Sequence, residues 1–332
     1  MPEHLPRLHV LATGGTIAMR TDTVEGGPVP AVTGQELIAA SPGLQHVGQV
    51  TVDEFANIPS ERMRPADWLL LARQLRQLLA RDGADGIVIL HGTDTMEETA
   101  FFLDVTVPTE APIVFTGAMR AASDPRPDGP ANILDAATVA AHPDARGRGV
   151  LIVMHGEIHS ARRVTKVDTS DVDAFASVLP PDLGTVRSGL VEFSDTWSPQ
   201  VHVPLPDAVP RVDIVPMYAG VDDFVLRAAM QRGATGLVIA GVGAGNVNEE
   251  LFGAILDALR AGLPVVVSSR VPYGGSRPIY AYAGGGVALQ RAGAIFAFDL
   301  NPQKARVLLM TALGAGYDLA QIRRLFAFAP SP

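Results

Sequence analysis

Residues 8 to 18 read Leu-His-Val-Leu-Ala-Thr-Gly-Gly-Thr-Ile-Ala, and the rest of the chain is organised around them. The run Leu8 to Leu11 is short and largely apolar, and it stops abruptly at Thr13-Gly14-Gly15-Thr16. Such a run suits a parallel strand buried on both faces. Two adjacent glycines open backbone angles closed to other residues and let a second segment approach the main chain closely. Thr16 then stands just past the carboxyl end of the first strand, the edge of an open α/β sheet where ligands bind. Read without function, Gly14-Gly15 makes a tight turn and Thr16 caps the next element.

Outward from this stretch, strand and helix patterns alternate. Trp68, Leu71, Leu75, Leu78 and Leu79 recur at helical spacing within 66–80, and Gly83 closes that segment. Gly86-Ile-Val-Ile-Leu90 reads as a buried strand, 94–105 as a helix, Pro112 to Thr116 as a strand, 129–141 as a helix and Val150 to Met154 as a strand. This alternation predicts a parallel, doubly wound sheet with helices on both faces. Pro199, Pro204, Pro206 and Pro210 crowd a stretch without helical periodicity, which reads as an interdomain connection at 198–211. The alternation resumes with Val212 to Pro216, a helix over 221–232, Leu237 to Ala240, a helix over 249–260, Pro264 to Ser268 and two helices within 302–328. The expected fold is therefore two doubly wound α/β domains. The larger, flavodoxin- or Rossmann-like, spans 1–197 and the smaller spans 212–332.

The composition sets limits on function. The chain has 332 residues, enough for two domains, and its 47% hydrophobic and 18% charged content requires a large buried core. A net charge of −9 without a basic cluster argues against a nucleic-acid partner. No run reaches transmembrane length, and the first strand leaves no room for a secretory signal, so a soluble cytoplasmic protein is expected. There are no cysteines, which excludes disulfides, thiolate metal sites and a cysteine nucleophile. The eight histidines show no metal-ligand spacing. The basic residues are almost all arginine, and the only lysines are Lys166 and Lys304. Arginine keeps its proton in proteins whereas lysine can release one, so a surviving lysine is a candidate for chemistry. Lys304, beside Arg306 on a helix, needs no such reading.

Two further stretches carry chemistry. His91-Gly-Thr-Asp-Thr-Met-Glu-Glu-Thr99 repeats the opening geometry: a strand ends, a glycine turns the chain, and a hydroxyl and a carboxylate stand at a helix start. Asp94 with Glu97, or Thr95 with Glu98, would equally make a capping box. Ser160 to Ser170 follows the strand at 150–154 and carries Lys166. Lys166 near Asp94 would form an ion pair, and a hydroxyl between them could be activated, since threonine is a poor nucleophile unless a neighbouring group takes its proton. A structural salt bridge is the plain alternative. Gly241-Val-Gly243-Ala-Gly245-Asn246 looks like a dinucleotide fingerprint, but its third glycine falls too early for one.

With these stretches in hand, the chain resembles the bacterial asparaginase family of threonine-dependent amidohydrolases. The resemblance rests on an ordered set: Thr13 to Ala18, Ile58 to Met63, His91 to Ala100, Gly117 to Arg120, Asp128 to Pro130, Val164 to Asp171, Gly241 to Asn246, Ser268 to Pro272 and Asn301 to Arg306. It implies that Thr16 is the covalent nucleophile. Thr93 is then the second threonine, supported by Asp94 and Lys166. Ser60 and Glu61 match the positions that hold the α-carboxylate and α-amino group of the substrate. Thr93 and Asp94 also touch the substrate, Asp94 at its amino group, and Ala118 lies beside the side-chain amide. Asn246 matches an asparagine that completes the site of a neighbouring subunit. The implied reaction is hydrolysis of L-asparagine to L-aspartate and ammonia through an acyl-threonine, without metal or organic cofactor. The implied assembly is a homotetramer of two intimate dimers.

Two departures stand out. Residues 19–33 lack the tyrosine that the family carries near the nucleophile, and all five tyrosines lie at or beyond Tyr218. Residues 273–286 lack the carboxylate that some members contribute across subunits, but they hold Tyr273, Tyr280 and Tyr282. One of these phenols is a candidate replacement. Three other readings stay open at this point: an asparaginase-like subunit of a tRNA-dependent amidotransferase, a catalytically silent amino-acid-binding homologue, and a nicotinamide dehydrogenase.

Overall fold

The computed structural model describes residues 5–81, 83–178, 183–195 and 200–327. The expected domain end at 197, Pro199 of the connection and Phe328 of the tail lie outside them. By internal contacts the chain divides into a first unit ending at His202 and a second beginning at Val203.

In chain order the first unit contains β1 (Arg7–Ala12), the hairpin β2 (Met19–Asp22) and β3 (Gly27–Pro30), α1 (Gly34–Ala39), α2 (Leu44–Val47), β4 (Gln49–Glu54) and α3 (Pro65–Arg81). Next come β5 (Gly86–Leu90), α4 (Met96–Thr106), β6 (Ile113–Thr116), α5 (Gly129–Ala141), β7 (Val150–Met154) and β8 (Glu157–Ser160). The hairpin β9 (Val164–Lys166) and β10 (Phe175–Ser177) follows, then β11 (Gly184–Arg187) and β12 (Leu190–Phe193). Eight of these strands form one sheet in the order β12-β11-β8-β7-β6-β5-β1-β4.

The stretch from β4 to β7 is parallel, as the alternation requires. The sheet as a whole is mixed rather than parallel, because β8, β11 and β12 extend it antiparallel. The chain folds straight back from β7 into β8 at His155-Gly156, where both residues have positive φ, +50° and +79°. With no helix between the strands, the return must be antiparallel. The sequence pattern does not single out β4, because Gln49-Val-Thr-Val-Asp-Glu54 is a half-exposed edge strand with no continuous apolar run. By contrast, Ile87, Val88, Ile89 and Leu90 of β5 are completely buried. Val88 and Leu90 join Leu8, Val10 and the buried residues of α5 in one core. Ile87 and Ile89 face the other way, since successive strand residues alternate. There α3 and α4 pack together, and Trp68 meets Phe102 with ring centroids 5.6 Å apart.

The second unit contains β13 (Val212–Pro216), α6 (Phe224–Gln231), β14 (Gly236–Gly241), α7 (Glu249–Arg260), β15 (Val265–Ser269), α8 (Gly286–Ala292), β16 (Ile295–Phe296), α9 (Pro302–Gly314) and α10 (Leu319–Ala327). Its four strands are all parallel, in the order β13-β14-β15-β16. The order never reverses. Leu226 of α6, Leu251 and Ile255 of α7 and Leu289 of α8 share one core with the sheet. The other face is covered by α9, which packs on β13, β14 and β15. Lys304, on α9, is 1% exposed and so belongs to the packed interior. Among the described residues no helix is long and apolar enough to cross a membrane.

One titratable group bears on the stability of this scaffold. Burial on α5 raises the Asp135 carboxyl to about 6, with His155 pulling in the opposite direction. A carboxyl raised in the folded state stabilises the fold below its ordinary value near 3.8 and loses that contribution as pH rises towards 6. Above pH 6 the ionised group is a net cost, moderated by partial exposure. Asp135→Asn is expected to raise Tm by a few degrees at pH 7.5 and to leave it unchanged at about pH 3, below both values, as measured by thermal unfolding at both pH values.

Candidate active site

Strand order reverses at β1. The chain passes from β1 to β4 on one side and then to β5 on the other. Crossovers leaving in opposite directions open a crevice at the carboxyl ends of the strands. Gly14 and Gly15, which follow β1, have φ of +102° and +90°. A β-carbon on Gly14 would stand 2.4 Å from the Ile58 nitrogen, and one on Gly15 would stand 2.2 Å from the Gly92 Cα. Both obstacles are main chain and cannot swing aside. The Gly15 N–H donates to the Ile58 carbonyl at 3.0 Å, the Ile58 N–H to Thr13 at 3.1 Å and the Thr13 N–H to Leu90 at 2.9 Å. A β-carbon on Gly92 would meet Ser60 Oγ at 2.8 Å, and one on Gly117 would meet the His91 carbonyl oxygen at 2.5 Å. The turns carrying Thr16, Ser60, Thr93 and Ala118 are thereby interlocked through their backbones.

Thr16 opens a single 3-10 turn, Thr16–Ala18, closed by the Met19 N–H on the Thr16 carbonyl. Among the described residues its hydroxyl has no hydrogen-bond partner, so it does not cap the turn. At the second turn neither capping box forms. Helix α4 starts at Met96, two residues later than the pattern suggests, and the Thr95 side chain makes no capping bond. Thr95 Oγ1 instead donates to the Ser60 carbonyl at 2.7 Å. Asp94 turns to Lys166, which stands opposite Phe175 in the β9–β10 hairpin. Lys166 Nζ donates to Thr93 Oγ1 at 2.9 Å and to Asp94 Oδ1 at 2.7 Å. Thr93 is buried, the Lys166 side chain is 17% exposed and the Asp94 side chain 65%. An ammonium beside a hydroxyl oxygen favours the ionised form of that hydroxyl.

Two supports escaped the sequence reading. His91 is fully buried, and its Nδ1–H donates to the Gly92 carbonyl at 2.7 Å. Burial pushes its imidazole down to about 4, the Gly92 carbonyl pulling the other way, so the ring is neutral at pH 7. It acts as a fixed donor that clamps the peptide leading into Thr93. Asp128 accepts the N–H groups of Met119 and Arg120, each at 2.9 Å, and Asn132 Nδ2 donates to the Gly117 carbonyl at 3.0 Å. Together they hold the turn of Ala118, which is 1% exposed. The sequence signal was present in His91 and in Asp128-Gly-Pro130, but both read equally well as strand end and helix start.

Thr16, Ser60, Thr93, Asp94, Lys166 and Ala118 thus fall on adjoining segments of the first unit. Glu61 is exposed and has no hydrogen-bond or ion-pair partner among the described residues. Asn246 belongs to the second unit, where Val242 and Asn246 form a bridge with the Val242 N–H on the Asn246 carbonyl at 3.0 Å. Its Oδ1 is buried without a partner among the described residues. The glycine run 241–245 closes on itself there. Helix α7 begins later, at Glu249, capped by Asn248 through the Leu251 N–H at 2.9 Å. The glycines therefore do not line a helix N-terminus as a dinucleotide cradle requires. Tyr273, Tyr280 and Tyr282 are all exposed. Among the described residues no group of three or more His, Asp or Glu side chains could hold a metal ion.

Comparison with known proteins agrees along the whole chain. Residues 7–199 match the family model described as asparaginase, N-terminal, and residues 211–326 match that of the glutaminase/asparaginase C-terminal domain. The chain is 43% identical to a "Probable L-asparaginase" of Deinococcus radiodurans, covering 98% of both proteins. It is 38% identical to L-asparaginase 2 of Escherichia coli, over 97% of this chain and 93% of that protein. The crystal structure of a "Probable Cytoplasmic L-asparaginase" from Campylobacter jejuni matches with a TM-score of 0.88 and 36% identity, covering 97% of this chain and 99% of the other. The interlocked threonine turns lie within the first of these matched regions, and the chain belongs to the asparaginase family.

Proposed function

We propose that the chain hydrolyses L-asparagine to L-aspartate and ammonia, with Thr16 as nucleophile. The observation that carries this reading is the Lys166 ammonium bridging Thr93 Oγ1 and Asp94 Oδ1 on the turn against which the Gly14-Gly15 turn is packed. The L-asparaginase relatives support the choice of substrate.

In the first half-reaction Thr16 Oγ attacks the side-chain amide carbon. Its proton passes to the amide nitrogen, the C–N bond breaks, and ammonia leaves an acyl-threonine. In the second half-reaction water adds to the ester carbon, the Thr16 oxygen recovers a proton, and aspartate is released. The hydroxyl of Thr93 positions that water, and Lys166 steadies the negative charge that builds on the Thr93 oxygen. Main-chain N–H groups at the glycine turns serve the tetrahedral oxyanion, a role worth about 3 kcal/mol per donor. Asp94, with most of its side chain open to solvent beyond Lys166, receives the α-ammonium of the substrate together with Glu61. Ser60 takes the α-carboxylate, and Ala118 borders the amide. The active form is a cytoplasmic homotetramer of intimate dimers in which Asn246 completes a neighbouring subunit's site. One of Tyr273, Tyr280 and Tyr282 supplies a phenol there.

Thr16→Ala is expected to lower ammonia release from asparagine by about 10⁴-fold or more with unchanged circular dichroism, the scale of loss when a covalent nucleophile is removed. Retained turnover would discard the assignment and favour a silent binding protein. Lys166→Met should lower kcat by about 10² to 10³-fold, the usual cost of losing a group that stabilises developing charge. Lys166→Arg should recover little of that loss, because a planar guanidinium cannot reproduce a point ammonium on two oxygens. With glutamine as substrate, kcat/KM should fall by about 10- to 100-fold relative to asparagine, since one methylene changes discrimination by about 1–3 kcal/mol.

A further inference from the structure

Behind the turn that carries Thr16, the first unit encloses a cavity of about 260 Å³. Its walls are apolar: Ile17, Val32, Leu37, Ala122 and Ile133. Arg20, Glu36 and Arg120 also line it, Arg20 and Glu36 being exposed and Arg120 half-buried. Thr16, Ser60, Thr93, Asp94 and Lys166 do not line it, so it is separate from the site described above.

The charged residues that line the cavity do not balance. Arg20 pairs with Glu36 at 3.5 Å, and Glu36 is held in turn by the Thr33 N–H at 2.8 Å. Arg120 Nη1 donates to the Arg126 carbonyl at 3.1 Å, and Arg120 makes no ion pair with a described carboxylate. A guanidinium has five N–H donors in a planar fork. Most of those of Arg120 have no partner among the described residues, and carboxylates are the anions that such a fork grips in bidentate fashion. The volume, about 260 Å³, falls just below the usual range of small-molecule sites, about 300 to 1,000 Å³. It is too small for a nucleotide and suited to a short apolar body carrying one charge.

The walls of the cavity are also the supports of the Thr16 turn. Ile17 follows Thr16 directly and is 2% exposed. A β-carbon on Gly129 would stand 2.9 Å from Ile17 Cγ1, so Ile17 is wedged against the start of α5. The Ala18 carbonyl accepts the N–H groups of Ala31 and Val32, both at 3.0 Å, and the Ala122 N–H donates to Met19 at 2.9 Å. A molecule in the cavity would press on Ile17, Val32 and Ala122 together.

We propose that this cavity binds a small branched aliphatic monocarboxylate, its carboxylate on Arg120 and its body against Ile17, and that occupancy alters the Thr16 turn and the turnover it supports. The effect on turnover rests on the reading of Thr16 as nucleophile, whereas the binding does not.

The test titrates 3-methylbutanoate into the full-length protein by calorimetry while the methyl resonances of Ile17 are followed by NMR. The corresponding alcohol, 3-methylbutan-1-ol, is the uncharged comparison. Binding should saturate at one molecule per chain, with the Ile17 methyl shifting along the same curve. Affinity should be about 10-fold weaker or worse for the alcohol and for Arg120→Gln, the scale of a lost charge-assisted pair. Ala40→Leu, which places bulk in the cavity from the end of α1, should abolish binding and keep basal ammonia release. In the unsubstituted enzyme, ammonia release should change with the same half-saturation. Absence of saturable binding, equal binding of the alcohol, binding that survives both substitutions, or binding that leaves the Ile17 methyl and turnover unmoved would each overturn the proposal. Because calorimetry and Ile17 are read without turnover, a protein that released no ammonia would fail the Thr16 reading and still answer for the cavity.

Discussion

Gly15 and Gly92 meet backbone to backbone, with no space for even a methyl group between them, and the geometry of the site depends on that contact. It draws the ends of β1 and β5 together. Gly92 in turn rests on Ser60, and Gly117 rests on the His91 carbonyl, so the turn of Thr93 is packed between main chain and short side chains. A site assembled from backbone contacts has few soft degrees of freedom, because main chain lacks the rotamers through which side chains yield. Preorganisation of this kind keeps reacting groups and oxyanion donors in place without reorganisation during the reaction.

The polar groups around these turns have been diverted from local duties. Asp94 and Thr95 sit where helix α4 would take a cap, yet Asp94 binds Lys166 and Thr95 ties down the Ser60 segment. Helix α4 loses a side-chain cap, a loss typically of about 1 kcal/mol. The compensation is a buried threonine whose oxygen faces an ammonium, and an exposed carboxylate whose second oxygen has no partner among the described residues. His91 shows the same logic in neutral form. Its ring is too deeply buried to charge near neutral pH, so it serves as a permanent donor to Gly92.

The same rigidity gives the cavity behind Ile17 its interest. The face of the turn towards the strand ends is closed by backbone, whereas the face towards α1 and α5 abuts a space lined by side chains.

Much of this protein was determined locally and is legible in its sequence. Continuous apolar runs bounded by glycine mark β5 and β7, because strands buried on both faces tolerate little else, and a largely apolar run that stops at Gly14-Gly15 marks β1. Alternation of runs and helical stripes implies the parallel half of the sheet, and the scarcity of lysine marks Lys166 before any contact is known. The tertiary structure alone decided between capping box and ion pair at Asp94, since both use the same residues and the partner lies 72 positions away in sequence. It decided that β7 returns antiparallel into β8, which depends on two positive φ angles at His155-Gly156 that no apolar pattern encodes. It also decided the roles of His91, Asp128 and Asn132, whose hydrogen-bond partners are mostly main-chain atoms. Those atoms are chemically alike at every residue, so only folding specifies which of them a side chain meets.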